Sequence, residues 1–210
     1  MDIITDQIGD FQPYYQDADC VIYNADCRQV LPLLGRFDLL LTDPPFGIDA
    51  GNMAMGSGRK KVEKSDWDKE RPDIRGFDLL ADSFCIWGGN YFSDVFGPTN
   101  DWLVWHKQND GRSFSECEFA ITNFGKQARH FSWGWLHGGE KKVHKTQKPI
   151  ALMRWCLSLV PGAQTILDPF MGSGTTLVAA KLEGRRAVGI EINERYCESA
   201  AKRLEQGVLF

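Results

Sequence analysis

The last fifty residues constrain the chain most. A short apolar run at Thr165–Leu167 leads into Asp168-Pro169-Phe170-Met171-Gly172-Ser173-Gly174-Thr175-Thr176. An apolar stretch at helical spacing follows over Thr175–Leu182 and stops at Gly184. Ala187–Ile190 is a second strand signal, and Asn193–Glu205 puts Tyr196, Ala200 and Leu204 on one helical face. Parallel strands need a crossover to bring the chain back, so strand–turn–helix–strand–helix predicts a parallel sheet covered by helices.

The rest of the chain fits that frame. Buried-strand signals occur at Cys20–Asn24, Asp38–Thr42, Phe84–Gly88, Asp101–His106 and Glu118–Thr122. Asn109-Asp110-Gly111 between the last two predicts an antiparallel pair there. Helices are expected over Arg28–Leu34, over Ile74–Asp82 and from Pro149, where Leu152, Trp155, Cys156 and Leu159 recur at helical spacing. Residues 50–72 carry glycine, serine and mixed charge without periodicity and read as a mobile loop. At 210 residues and 43% apolar content, one domain accounts for residues 1–210.

The six cysteines are dispersed, without a CxxC pair. That predicts reduced thiols, a cytoplasmic protein and no metal centre. No apolar run reaches the roughly 18–20 residues that span a bilayer, so no membrane partner is expected. Net charge is -4, which excludes a general attraction to nucleic acid, but its distribution is uneven. Residues 1–50 hold nine acids against Arg28 and Arg36, whereas residues 126–148 hold six bases against Glu140. An acidic chain with such a segment can bind a polyanion locally.

The glycine turn at 172–174 joins a strand to a helix, where backbone can approach a ligand and N–H groups are unpaired. Neither a P-loop lysine nor a third dinucleotide glycine follows. Glu191, ending the next strand, is placed to accept ribose hydroxyls; the alternative is a capping or surface acid, although Asn193 is the better cap. A ribose acid without a pyrophosphate binder suits a nucleoside with a cationic tail, as in S-adenosyl-L-methionine, with Asp168 toward the amino-acid end.

Three segments then resemble one family. Asp43-Pro44-Pro45-Phe46 matches the D-P-P-Y/F motif of DNA amino-methyltransferases. Asp168–Thr176 resembles their D-P-F-x-G-S-G-T-T cofactor motif, and His144-Lys145-Thr146-Gln147-Lys148-Pro149 their H-P-T-Q-K-P segment, with Lys145 in place of the first proline. The catalytic motif precedes the cofactor motif, as in the permuted beta group of adenine-N6 and cytosine-N4 enzymes, and the resemblance spans roughly residues 20–205. It implies a three-layer α/β sandwich: a mostly parallel seven-stranded Rossmann-like sheet with an antiparallel last strand, in which the two early strands at 20–24 and 38–42 lie beside the later two at 165–167 and 187–190. It also implies S-adenosyl-L-methionine held by Asp168, Phe170, Gly172, Ser173, Gly174 and Thr175, with Glu191 on the ribose. Asp26 resembles the acid near the adenine of the cofactor, or caps the helix at Arg28. Lys148 resembles part of the cofactor-side segment, or is a solvated charge.

The D-P-P-F corner suits amine methylation. An exocyclic amine is a poor nucleophile because its lone pair is delocalised into the ring. Asp43 and the carbonyl of Pro44 would accept its two N–H bonds and favour developing positive charge. Pro44 and Pro45 lack N–H and fix the chain. Phe46 would stack on a flipped-out base. No cysteine follows a proline, which disfavours cytosine-C5 chemistry. Aspartate at the first position is usual in the adenine enzymes of this family and serine in the cytosine-N4 enzymes. Adenine-N6 methylation of double-stranded DNA is therefore the leading expectation. Cytosine-N4 methylation, RNA or free-base methylation, and a DNA-binding protein without catalysis are the alternatives. Gly88, Gly89 and Asn90 after one strand would approach a substrate or merely turn the chain, and His106 lines a base pocket or is a satisfied structural histidine.

Residues 107–143 are the longest span available for a target-recognition insertion, and the span is small. Lys126, Arg129, Lys141 and Lys142, with Trp133 and Trp135, are candidate DNA contacts, as is the loop Arg59-Lys60-Lys61; the bland readings are a lobe core and solvated charge. A reduced lobe implies a short site, a homodimer, or a specificity partner.

Overall fold

The computed structural model describes residues 7–49, 68–111, 115–125, 127–134 and 147–206. The expectations for a mobile loop at 50–67, for Arg59, Lys60, Lys61, Lys126, Trp135, Lys141 and Lys142, and for residues 144–146 lie outside the described residues.

In chain order the elements are β1 (Tyr15–Gln16), β2 (Cys20–Asn24), α1 (Cys27–Val30), β3 (Phe37–Thr42), β4 (Ala81–Trp87), α2 (Ser93–Phe96), β5 (Trp102–His106), β6 (Cys117–Thr122), β7 (Arg129–Ser132), α3 (Ile150–Ser158), β8 (Thr165–Asp168), α4 (Thr175–Leu182), β9 (Arg186–Glu191) and α5 (Glu194–Glu205). The strands form one sheet in the order β1-β2-β9-β8-β3-β4-β6-β5-β7. The two early strands lie beside the two late ones, as expected; the pairs are β2 with β9 and β3 with β8, with Leu40 opposite Leu167.

The described sheet has nine strands rather than seven. The additions are its two edges: β1, a two-residue antiparallel pairing on β2, and β7, which runs parallel to β5. Within the seven-stranded centre only β6 runs against its neighbours, and it sits between β4 and β5 rather than at the end of the chain. The helix expected over Ile74–Asp82 is a single 3₁₀ turn at Phe77–Leu79. Strand β4 starts at Ala81, three residues before the expected Phe84, because it pairs with β3 from Phe37↔Ala81 onward. Residues 107–143 include β6 and β7, six and four residues, so part of that span belongs to the sheet.

Alternation along the strands explains the three layers. Leu39 and Leu41 point into one core with Ile22, Ile166 and the buried sides of α3, α4 and α5. Leu40 points into the other with Tyr23, Leu167, Ile86 and the buried residues of α1, Phe77 and Phe92. All three leucines are fully buried, each contributing about 1.5–3 kcal/mol, so the end of β3 is firmly anchored. Phe131 stacks on Trp155 of α3 at 5.2 Å and on Trp133 at 6.1 Å, so these two aromatics pack against the core. All six cysteines are free thiols, and no helix among the described residues is long and apolar enough to cross a membrane.

Candidate active site

From β3 the chain crosses to β4 on one side; from β8 it crosses to β9 on the other. Crevices for ligands form at the carboxyl ends of strands where the winding reverses like this. Here that point lies between Asp43, following β3, and Asp168, ending β8. A cavity of about 480 Å³ opens there, lined by Asp26, Asp43, Lys148, Asp168, Gly172 and Glu191 among others. The two strand ends are tied together: Thr42 Oγ1 donates to Asp168 Oδ1 at 2.7 Å.

Asp168 and Glu191 make this cavity receptive to a cation. Asp168 is almost fully buried, and burial pushes its carboxyl up to about 6 against the hydrogen bonds from Thr176, Thr42 and the Phe170 N–H. Glu191 accepts from the Gly172 N–H at 3.1 Å and from the Asn193 N–H at 2.7 Å, and burial raises its carboxyl too. Neither has a cation partner among the described residues. The cationic neighbours at the cavity are engaged: Arg28 with Asp26, Arg71 with Asp94, Lys148 with Asp43. Two such carboxylates can accept from an ammonium and from a ribose diol, and S-adenosyl-L-methionine carries both groups.

The glycines divide their tasks. Gly172 lines the cavity, has φ +51, and a side chain there would meet nothing within 4 Å, leaving room for a ligand. Gly174 does not line it; a Cβ there would lie 2.7 Å from that of Ala200, so its role is close packing of α4 on α5. Phe170, Ser173 and Thr175 do line it. Arg203 Nη1 binds the Ser173 carbonyl at 2.6 Å and Thr175 Oγ1 at 3.1 Å, holding the turn from behind. Asp26 lines the cavity and also caps α1, accepting the Arg28 N–H at 3.0 Å. Asn193 caps α5, as its sequence position predicts.

Lys148 differs most from expectation. It is a buried rather than a solvated charge, 5% exposed, and although it lines the cavity its ammonium faces the catalytic side. Its Nζ lies 2.5 Å from Asp43 Oδ2 and 3.0 Å from Glu118 Oε2. Burial pulls the Lys148 ammonium toward neutrality, but Asp43 and Glu118 outweigh it and raise its pKa. Burial also raises Asp43, partly offset by Lys148. Asp43 Oδ1 is buried and has no hydrogen-bond partner among the described residues.

The corner itself is held by a residue the sequence reading left inside the loop. Asp68 is 1% exposed, and its Oδ1 accepts the N–H groups of Phe46 (2.5 Å) and Gly47 (2.9 Å). Its backbone carbonyl accepts from the Asp49 N–H at 2.9 Å. Phe46 stacks on Tyr91 with centroids 4.8 Å apart and lies against Gly88, while the Lys148 ammonium is 5.7 Å from its ring centre. A base therefore meets only the surface these neighbours leave. Asp68, Glu118 and Tyr91 were missed; a lone acid in a polar loop, a charge in an apolar strand and a tyrosine after a turn carry no motif. Arg129 is exposed on edge strand β7, and His106 is engaged with Asp110 (2.9 Å) and Ser132 (3.2 Å).

Comparison with known proteins agrees with this geometry. A family model described as DNA methylase matches residues 88–202. The Type II methyltransferase M.HinfI of Haemophilus influenzae is 45% identical over 250 residues, covering 88% of this chain and 68% of that one. M2.LlaDCHI of Lactococcus lactis subsp. cremoris, also a Type II methyltransferase, is 27% identical over 253 residues, covering 95% and 94%. The crystal structure of an M1.HpyAVI-SAM complex superposes with a TM-score of 0.62 at 25% identity, covering 88% and 98%. The cytosine-N4-specific PvuII DNA methyltransferase shares the fold with a TM-score of 0.61 at 17% identity, covering 94% and 90%. With a cation- and ribose-receptive cavity beside a D-P-P-F corner, the chain belongs to the N6/N4 DNA methylase family and is an S-adenosyl-L-methionine-dependent DNA methyltransferase.

Proposed function

We propose that the chain methylates the exocyclic N6 amine of adenine within a short double-stranded DNA site. The observation that carries this reading is Asp43: it lines the cavity with Asp168 and Glu191, Lys148 holds its Oδ2, and its buried Oδ1 has no hydrogen-bond partner among the described residues. An unpaired buried acceptor is costly unless a ligand donates to it. An adenine amine supplies such a donor. The aspartate opening of the motif, in place of serine, favours adenine over cytosine-N4.

The cofactor supplies an electrophilic methyl group on a sulfonium. Asp43 Oδ1 accepts one N–H of the amine and the Pro44 carbonyl the other, turning the nitrogen lone pair out of conjugation. As nitrogen gains its new bond it becomes positive, and the carboxylate stabilises that charge until a proton leaves. Asp168, Glu191, the Gly172 turn and Phe170 hold the cofactor in line, converting the encounter into an oriented unimolecular step. Phe46 and Tyr91 bound the space for a base extruded from the duplex. Pro45 keeps the corner rigid.

For DNA, Arg129 and the basic positions Lys126, Lys141, Lys142, Arg59, Lys60 and Lys61 are the proposed phosphate contacts. The Type II methyltransferases to which the chain is similar support a site-specific activity. The alignment with M2.LlaDCHI runs over 253 residues against 210 in this chain, so that relative carries segments without a counterpart here. This supports a small target-recognition segment within 107–143, a short site, and a homodimer or specificity partner as the means of extending it. The deciding experiment treats unmethylated DNA with the protein and labelled cofactor, digests it to nucleosides and separates them by mass. N6-methyladenine is expected; N4-methylcytosine alone refutes the adenine assignment.

A further inference from the structure

We propose that Lys148, Glu118 and Lys107 form a partly buried charge chain that positions Asp43 for methyl transfer, with Lys148 the direct positioning residue and Glu118 its anchor. This rests on the reading of Asp43 as the acceptor for the substrate amine.

The chain is continuous and crosses four elements. Lys107, just after β5, lies 2.7 Å from Glu118 Oε1 on β6. Glu118 Oε2 lies 3.0 Å from Lys148, which precedes α3. Lys148 lies 2.5 Å from Asp43 Oδ2 after β3. Lys148 is 5% exposed, Lys107 13%, and the two carboxylates 23–25%. Two cations and two anions alternate, so the net charge is zero. Stability alone gives weak grounds for such a cluster, since buried ion pairs barely repay their desolvation. Glu118 has a lysine within ion-pair distance of each oxygen, although its Oε2, like Asp43 Oδ1, has no aligned hydrogen bond among the described residues. The chain ends on Asp43, which lines the cavity and whose Oδ1 has no hydrogen-bond partner among the described residues.

This arrangement does two things. The tie on Oδ2 fixes the Asp43 rotamer and leaves Oδ1 as the oxygen free to accept from the substrate amine. The Lys148 charge also opposes the burial that favours the neutral acid at Asp43, and a neutral acid is a poorer acceptor. The two partners act on Asp43 in opposite senses: Lys148 lowers its pKa and Glu118 raises it. The other titratable groups around Asp43 are Asp68 before the Phe46–Gly47 turn contacts, Asp168 on β8, Cys85 on β4 and Lys107 through Glu118. None of these changes in the variants below.

The test is the pH dependence of kcat/KM for DNA methylation at saturating cofactor in Lys148→Met, Lys148→Arg and Glu118→Gln. Lys148→Met is expected to lose about 10–100-fold in rate and to move the acid limb up by about one pH unit. Lys148→Arg keeps the charge and should restore the wild-type limb. Glu118→Gln should move the limb down, since it removes the anion that opposes ionisation. Cofactor affinity should stay at the wild-type value throughout. A rate loss with unmoved limbs, or limbs moving the same way in Lys148→Met and Glu118→Gln, overturns the proposal. Should Lys148→Met fail to fold, Glu118→Gln and Lys148→Arg decide: an unmoved limb in the first, or no activity in a folded second, overturns it. Asp43→Ala separates the two layers. Normal transfer by Asp43→Ala defeats the underlying reading, whereas an inactive Asp43→Ala beside unmoved limbs defeats only the charge chain.

Discussion

Gly88→Ala should disable transfer without touching the cofactor cavity. Gly88 follows β4 with φ +71, and an added Cβ would lie 1.9 Å from Phe46 Cε1, 2.4 Å from Cδ1 and 2.6 Å from Cζ. Ordinary carbon contact is about 3.5–4 Å, so the ring must move by at least about 1.5 Å. It cannot yield freely, because it is stacked on Tyr91 at 4.8 Å. Displacements of about 1 Å at a reacting centre cost about 10²-fold in rate, which sets the expected loss. Gly76→Ala is the matched control: its φ is +83, equally left-handed, yet nothing lies within 4 Å of the new Cβ. Both variants carry the backbone penalty of about 1 kcal/mol, worth about 2–4 °C in a protein this size. Only Gly88→Ala adds overpacking of about 1–3 kcal/mol. Single-turnover methylation with saturating cofactor, thermal melts and cofactor titration on both proteins make the comparison. A Gly88→Ala protein that methylates DNA as fast as Gly76→Ala would show that the Phe46 position does not matter.

Two further outcomes follow from the same site. Asp68→Ala removes the acceptor for the Phe46 and Gly47 N–H groups, so stability should fall by about 1–3 kcal/mol and turnover should drop; Asp68→Asn, which keeps an oxygen, should recover most of both in melts and single-turnover assays. Asp168 has its carboxyl raised from 3.8 to about 6, so the folded protein binds its proton more tightly than the unfolded chain does. Stability from this group is full below about pH 4 and is lost as pH rises through about 6. Asp168→Asn should therefore gain up to about 3 kcal/mol relative to wild type near neutral pH, lose that pH slope in melts, and bind cofactor more weakly.

The parts of the fold that were legible share a cause. Apolar runs such as Leu39–Leu41 and Thr165–Leu167 are buried on both faces, so composition alone marks them as strands. The glycine turn and Glu191 were legible because a crossover unit places them together in sequence. β7 was not, because the side chains of Arg129–Ser132 are mostly exposed and its pairing to β5 is made by backbone. Ile74–Asp82 misled because Leu79 and Leu80 complete a helical apolar spacing, although Leu79 is 68% exposed. At the site, motif residues were legible and their partners were not. Lys148 finds Asp43 across 105 residues, and Glu118 and Asp68 join them only once the sheet has formed.

The central claim is that Asp43 serves the substrate amine and not the cofactor. Asp43→Ala tests it most directly, because Lys148 retains Glu118 as a partner and so is not left with an unpaired charge. Cofactor affinity and transfer of labelled methyl groups to DNA are measured on the same preparation. Wild-type cofactor affinity with no detectable transfer is the predicted result; transfer near the wild-type rate would contradict it.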